Sequence, residues 1–399
     1  MISMYVDGEY VTELDSTKKY EMESYECTNG EELTWDTDNN EISIKPILED
    51  TSCYVNFNVK YFTLTETMLA AEEAQSDVSI DYVYTSEGQK FNSDDGGAVS
   101  IEEFEKVISP SFLIKEDLSN LNKLTAIDSS QITNGLYYTE ENTEGNKRVY
   151  FYRGAVTNNY LVFGDYCWRI VRTVEDGSVR LRYGGTPIQN GDTYTCPQTG
   201  TAVNIGSSKY NTSVDNKSSV NYKTSDIKIV AENWYRDNIY KNGTNTKVTN
   251  LIADTPYCND MSERTSGIYV YFGAYDRLAT NKSPQYKCPS SAYGYTVAKG
   301  DLTYPVGLLT VDEVVYAGAA YFVNNASYYL YTGEAYWTMS PYIFFSPDAH
   351  VLYVLSTGGL SNNYVDYSFA AVPAVSLKPE ATVKRGTGAY NDPYVINTD

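Results

Sequence analysis

The first 62 residues alternate short apolar and polar runs with turn signals. Met4-Tyr5-Val6 precedes Asp7-Gly8, and Thr34-Trp35 and Ile42-Ser43-Ile44 flank a polar stretch. Cys53-Tyr54-Val55-Asn56-Phe57-Asn58-Val59 has strict period two. Such alternation marks half-buried strands, so residues 1–62 are expected to form a small all-β module. Asp36, Asp38 and Asn40 have the alternating spacing of a calcium loop. The glycine and the distal bidentate glutamate of such a loop are missing, which makes a strand-connecting turn the simpler reading.

The pattern then changes. Good helix formers run from Thr65 to Ala74, and Ser100-Ile101-Glu102-Glu103 reads as a capping box ahead of Phe104, Val107 and Ile108, ending at Pro110. Ser93-Asp94-Asp95-Gly96-Gly97 marks a loop between them, and residues 63–130 read as a partly helical connector. From 131 onward strands return at 149–152 and 160–163. Cys167–Arg172 is joined through Glu175-Asp176-Gly177-Ser178 to Val179–Tyr183 as a hairpin. Residues 189–226 are dominated by Asn, Ser and Thr and read as loop. Helices are expected at Asp226–Tyr240, with Ile227, Ile229, Val230 and Trp234 on the apolar side. Another is expected at Thr310–Ala320, where Thr310 caps and Asp312 and Glu313 fill the first turn. The class implied is α+β.

Composition gives this frame a direction. Forty of the 399 residues are tyrosine and one is histidine. Tyrosine supplies broad, rigid contact area at low ordering cost, whereas histidine is the commonest proton shuttle and metal ligand near neutral pH. The chain therefore reads as a binder and not an enzyme. Thirty Lys and Arg stand against 52 Asp and Glu, a net charge of −22 that disfavours nucleic acid and anionic lipid as partners. No apolar run approaches a membrane span and no leader follows Met1, as expected of a trimmed ectodomain.

The six cysteines fall as neighbouring pairs of similar separation: Cys27 and Cys53, Cys167 and Cys196, Cys258 and Cys288. None has metal-site spacing, so disulfides in sequence order are preferred over buried thiols and no metal or cofactor is expected. Each bridge is worth about 3–4 kcal/mol through loop closure.

Several short stretches recur in order across residues 135–399: Tyr150-Phe151-Tyr152-Arg153-Gly154, Trp168-Arg169-Ile170-Val171-Arg172, Tyr257-Cys258-Asn259-Asp260, Tyr304-Pro305-Val306-Gly307-Leu308-Leu309-Thr310, Trp337-Thr338-Met339-Ser340-Pro341 and Pro393-Tyr394. In these the chain resembles a family of surface proteins from low-GC Gram-positive gut bacteria whose C-terminal domain looks like a C-type-lectin fold. The family usually carries a basic residue before Pro373, where this chain has Val372. The resemblance implies a lectin-like domain over 131–399, with paired first and last strands and a flanking helix pair. It also implies an irregular ligand-bearing region near 324–369, ahead of a terminal strand 371–377.

The same fold serves formylglycine-generating enzymes, which use a cysteine pair and a metal, and the variable proteins of diversity-generating retroelements. No cysteine occurs between 330 and 370. Similarity to the variable proteins implies ligand contacts from Tyr342, Phe344, Phe345, Asp348, His350, Leu352, Asn362, Asn363, Tyr364, Asp366, Tyr367 and Phe369. The partner implied is a cell-surface protein or glycan, met outside a bacterial or phage-encoded source.

Chemistry is weighed against this. His350 has no GxSxG motif to serve and no cysteine nearby in sequence, so a surface contact is its expected role. With 52 acidic residues, a carboxylate pair at glycosidase spacing carries no information. Asn259-Asp260 orients a loop or holds a cation. Trp35, Trp168, Trp234 and Trp337 are expected in cores, and Tyr328, Tyr329, Tyr331 and Tyr336 are expected to divide between buried and exposed. The leading reading is an extracellular adhesin. Its rivals are a hydrolase or modifying enzyme on the same frame, with a deep carboxylate-lined pocket, and a structural subunit of a surface filament or phage tail that uses an unpaired edge of the β module.

Overall fold

The computed structural model describes residues 2–15, 18–36, 41–45, 51–71, 134–140, 142–281 and 283–398, with backbone pieces at 75–76, 90–91 and 98–99. The Ser100 capping box with Phe104, Val107 and Ile108, the 93–97 loop, residues 72–74, and Asp38 and Asn40 lie outside them. Two compact units divide the chain, 1–62 and 63–399.

In the first unit the strands Glu9–Val11, Ile2–Val6, Cys53–Lys60 and Lys19–Cys27 lie side by side in that order. Asp7 and Gly8, both at positive φ, make the two-residue turn that closes the first hairpin. Strict alternation puts Cys53, Val55 and Phe57 inward, where they meet Tyr20 and Leu33. Trp35 packs 4.6 Å from Phe57 and donates its Nε1–H to Tyr20 O. Cys27 and Cys53 are cross-strand partners and are bridged. Glu31 is held ionised, at about 2, chiefly by the Thr51 hydroxyl 2.5 Å away.

The second unit begins with helix Leu64–Ala71, capped reciprocally by Thr63 and Glu66. Its Leu64 and Met68 enter the core of this unit, so the start of the expected connector packs with the C-terminal residues. A first sheet is built around the hairpin Tyr166–Thr173 and Val179–Tyr183, as the sequence indicated. Trp168, Ile170, Leu181 and Tyr183 line one face. There they meet Trp234 of helix Asp226–Tyr235, with ring centroids 6.2 Å from Trp168 and 5.1 Å from Tyr183. Arg169 pairs with Arg182 across the hairpin and, past a bulge, Arg172 pairs with Arg180, so the other face is a row of guanidinium groups. Ala374–Leu377 extends this sheet along Val179–Tyr183, and Tyr394–Ile396 lies parallel to Tyr160–Phe163. The expected terminal strand starts three residues late, at Ala374: Pro373 O still accepts from Tyr183 N at 2.8 Å, but proline has no N–H to return to the ladder.

A second sheet contains Glu263–Ser266, Tyr269–Phe272, Tyr336–Phe345, Asp348–Val354 and Leu360–Tyr364 in adjacent positions. This corrects the expectation of an irregular region over 324–369: residues 324–335 carry no strand, and from 336 onward strands alternate with short turns. The aromatic and β-branched runs from 336 and 348 form a hairpin instead. Helix Val311–Ala317 starts on the Thr310–Glu313 capping box and ends at Gly318, φ 127°.

All three disulfides form in sequence order, which fits folding in an oxidising, extracellular environment. No described helix is long and apolar enough to cross a membrane. The architecture is mixed α+β, dominated by strand.

Candidate functional site

Register decides which side chains share a face of the second sheet. Tyr271 pairs with Ile343, Ile343 with His350, and His350 with Tyr364. Period-two alternation adds Tyr269, Phe345 and Asn362 to that face. The pairing steps from Pro341–Val351 to Ile343–His350, which leaves Tyr342 as an extra residue in a bulge and turns it to the same side. There the Tyr321 hydroxyl donates to Tyr342 Oη at 2.6 Å and Asn362 Nδ2 reaches Tyr321 Oη at 3.4 Å.

The rings form an unbroken path. Tyr275 lies 5.2 Å from Tyr342 and 4.3 Å from Tyr271, Tyr271 6.0 Å from Tyr269, and Tyr269 5.7 Å from Phe345. His350 continues it, 5.3 Å from Phe345 and 4.2 Å from Tyr364, which meets Tyr367 at 5.9 Å. At the other end Tyr321 touches Phe322, a bulky residue at φ 59° whose N–H is fixed on Leu360 O; this left-handed backbone is strained and holds the ring outward. Arg264 lies over Tyr271 at 4.8 Å and pairs with Asp276. Tyr269, Tyr364 and Tyr367 are 41, 36 and 53 % exposed, so the path opens to solvent at several points.

His350 sits beneath it at 8 % exposure. Its Nδ1 meets Asn362 Oδ1 at 2.9 Å, leaving Nε2 as an acceptor with no partner among the described residues. Burial pushes the imidazole pKa down, against the opposing pulls of Asn362 and Asp348.

Of the twelve expected contact residues, Tyr342, Phe345, His350, Asn362, Tyr364 and Tyr367 come together. Leu352, 1 % exposed, and His350 are corrected from surface contacts to buried supports. Phe344 pairs with Val270 and Ala349, and Asn363 with Val351, so both face the opposite side of the sheet. Phe369 is corrected likewise: it stacks on Tyr353 at 4.4 Å beside Trp337. Asp348, half-buried, opens its strand opposite Phe345 and so lies on the aromatic face, whereas Asp366, half-buried, lies in the turn after Tyr364. Sequence reasoning missed Tyr269, Tyr271, Tyr275, Tyr321, Phe322 and Arg264; the alternation Tyr269-Val270-Tyr271 after Gly267 was the available signal.

Other tyrosines do the reverse. Tyr328, Tyr329 and Tyr336 are buried, correcting the expectation that about half of their group is exposed. They and their neighbours cover the arginine row. Arg169 lies 3.7 Å over Tyr160, Arg172 4.4 Å over Tyr286, Arg180 3.9 Å over Tyr257 and Arg182 5.7 Å over Tyr336. Cation–π attraction strengthens when water is excluded. Burial lowers Arg169 to about 10, whereas for Arg172 it is outweighed by Glu313 and Glu175, which raise it.

Beside Arg172 and Arg180 lies a cleft of about 100 Å³, lined also by Glu175, Arg277, Asp312, Glu313 and the Cys258–Cys288 bridge. Glu313 Oε1 accepts from Arg172 Nε at 2.9 Å, and Oε2 from Thr310 N at 2.9 Å. Burial alone would raise its pKa, but Arg172 and Arg180 hold it below the usual carboxylate range. Asp312 takes Arg277 Nε and Nη2, each at 2.9 Å. The Glu313 carboxylate is thus a committed anion, poorly suited to donate a proton. Asn259 ties Met339 O to Tyr222 N, and Asp260 pairs with Arg277, which gives Asn259-Asp260 a loop-orienting role. Among the described residues no group of His, Cys, Asp and Glu is placed to hold a metal ion.

Set against protein-family models, curated proteins and solved structures, the chain matches none of them.

Proposed function

We propose that this chain is an extracellular recognition protein, an adhesin whose lectin-like C-terminal unit binds a cell-surface glycan or protein through the aromatic face of its second sheet. The observation that carries the reading is the continuous ring path from Phe322 to Tyr367, exposed at Tyr269, Tyr364 and Tyr367 and braced below by His350 and Asn362. Rings held in fixed positions lose little entropy on contact, and exposed aromatic neighbours favour a ligand. The lectin-like family and the cell-surface setting rest on the sequence resemblance. The hydrolase alternative needs an acid kept protonated near neutral pH, and the buried acids of the cleft are instead paired with arginine.

A glycan and cell-surface protein array screened with the full chain tests this. The double variant Tyr364→Ala, Tyr367→Ala should lose about tenfold or more in affinity with its melting temperature little changed. Undiminished binding by the variant would move the site elsewhere.

A further inference from the structure

The aromatic face already holds one cation, and the contacts it gives that cation show what else it can take. The Arg264 guanidinium lies 4.8 Å over the Tyr271 ring and 5.7 Å from that of Tyr275. Its Nε and Nη2 donate to Asp276 Oδ1 at 2.9 and 2.7 Å. A ring under its plane and a carboxylate at its edge are the two contacts that a planar guanidinium makes best.

The same two components recur further along the face with no cation on them. Asp348 opens the strand Asp348–Val354 and stands opposite Phe345 on the neighbouring strand. On its other side Val365 N donates to Ala349 O at 3.0 Å, which brings up the turn carrying Asp366 and Tyr367. His350, two residues on, touches both Phe345 and Tyr364 and is buried, so it floors the space between those rings. Burial depresses its pKa, which keeps that floor neutral near pH 7. Among the described residues neither the Asp348 nor the Asp366 carboxylate takes a hydrogen bond or an ion pair, and Lys209, which pairs with Ser368, serves neither.

Exposed rings flanked by unpaired carboxylates select a ligand by charge. An anion is repelled by these acids and by the net charge of −22, and a neutral group leaves the acids unused, whereas a cation gains from rings and acids together. Stacking combined with a forked contact to carboxylate favours guanidinium over ammonium, which is compact and more strongly hydrated. We infer that the aromatic face recognises an arginine side chain of a partner protein, its guanidinium lying on the rings of Phe345 and Tyr364 and forked onto Asp348. The inference rests on the recognition role proposed for that face and narrows its ligand to a basic protein segment.

The full chain is titrated by calorimetry with an acetylated, amidated peptide of alternating glycine and arginine, in about 150 mM salt to screen long-range attraction. The same peptide with lysine, and with uncharged citrulline, in place of arginine provides the comparison. The arginine peptide should bind about fivefold or more tightly than the lysine peptide, and the citrulline peptide should not bind. Because this comparison uses the unaltered chain, it stands whether or not a variant folds. Tyr364→Ala and Asp348→Asn should each weaken the arginine peptide by about fivefold or more. Asp192→Asn, which removes an exposed acid from the turn of a separate hairpin, should leave it unchanged. Equal affinity for the arginine and lysine peptides, no binding of either, or equal losses in Asp348→Asn and Asp192→Asn would each overturn the inference. A neutral glycan that binds through Tyr364 and Tyr367 while the peptides are ignored would leave the recognition face standing and remove its arginine ligand. Peptide binding that survives Tyr364→Ala undiminished would remove both.

Discussion

Tyr336 and Tyr364 belong to the same sheet and serve opposite ends. Tyr336 is buried against Arg182, part of a layer in which four guanidinium groups each lie over a phenol ring. Tyr364 lies over His350 and reaches solvent. In the layer, tyrosine makes four buried cations tolerable where carboxylates are too few: Glu313 and Glu175 serve only Arg172 and Arg180, while Arg169 and Arg182 rely on rings, carbonyls and Asn159. On the face, apart from Tyr271 and Tyr275 beneath Arg264, the same side chain offers its area and hydroxyl toward solvent. A high tyrosine count is therefore not by itself a binding signal. Its meaning depends on whether the alternating partner strand presents arginine or solvent.

The largest expected effect comes from breaking the layer. Arg172→Ala leaves Glu313 buried without its main partner and should cost about 3–5 kcal/mol in denaturant unfolding, with ligand affinity of any chain that still folds unaltered. Replacing Cys167 and Cys196 by serine opens a loop of 29 residues beside the same sheet and should cost about 3 kcal/mol. Alkaline pH attacks the phenols directly. Burial raises Tyr257 and Tyr336 to about 12 from the usual 10. A raised folded pKa gives stability that is complete below 10 and lost as pH rises through 12, roughly 2–3 kcal/mol for each ring. Unfolding monitored between pH 9 and 12 checks it.

Changes on the face should be milder for the fold and harsher for binding. Tyr269→Ala with Tyr364→Ala is expected to cost under about 1 kcal/mol of stability and about tenfold in affinity, read by denaturation and by the array ligand. The smallest effect is that of His350. Its folded pKa is depressed by burial from the usual 6.5, so its contribution is present above 6.5 and is lost as pH falls below that value. A modest drop in melting temperature from pH 7 to pH 5, abolished in His350→Gln, is the expected outcome.

Much of this was legible in the residues. The Cys53–Val59 alternation, the Gly177 hairpin, the Thr310–Glu313 cap and the cysteine pairing all follow local rules, and the structure has them. The divided roles of tyrosine were not legible, because they depend on pairings between distant strands. Tyr336 meets Arg182 and Tyr269 meets Phe345 only after the sheets assemble. The bulge at Tyr342, one of two register shifts in that hairpin, moves an aromatic ring to a different face, a shift that period-two reading misses. Phe344 and Phe345, adjacent in sequence, were read as equivalent, and the pleat sends them apart.

Tyrosine nitration mapped by mass spectrometry, with and without the strongest array ligand, tests the division most directly. Tyr269, Tyr364 and Tyr367 should be modified first and be protected by ligand, while Tyr257, Tyr286, Tyr329 and Tyr336 stay unmodified until the chain unfolds. Equal modification of both groups in the folded protein, or ligand protection that spares the three face residues, would contradict the account.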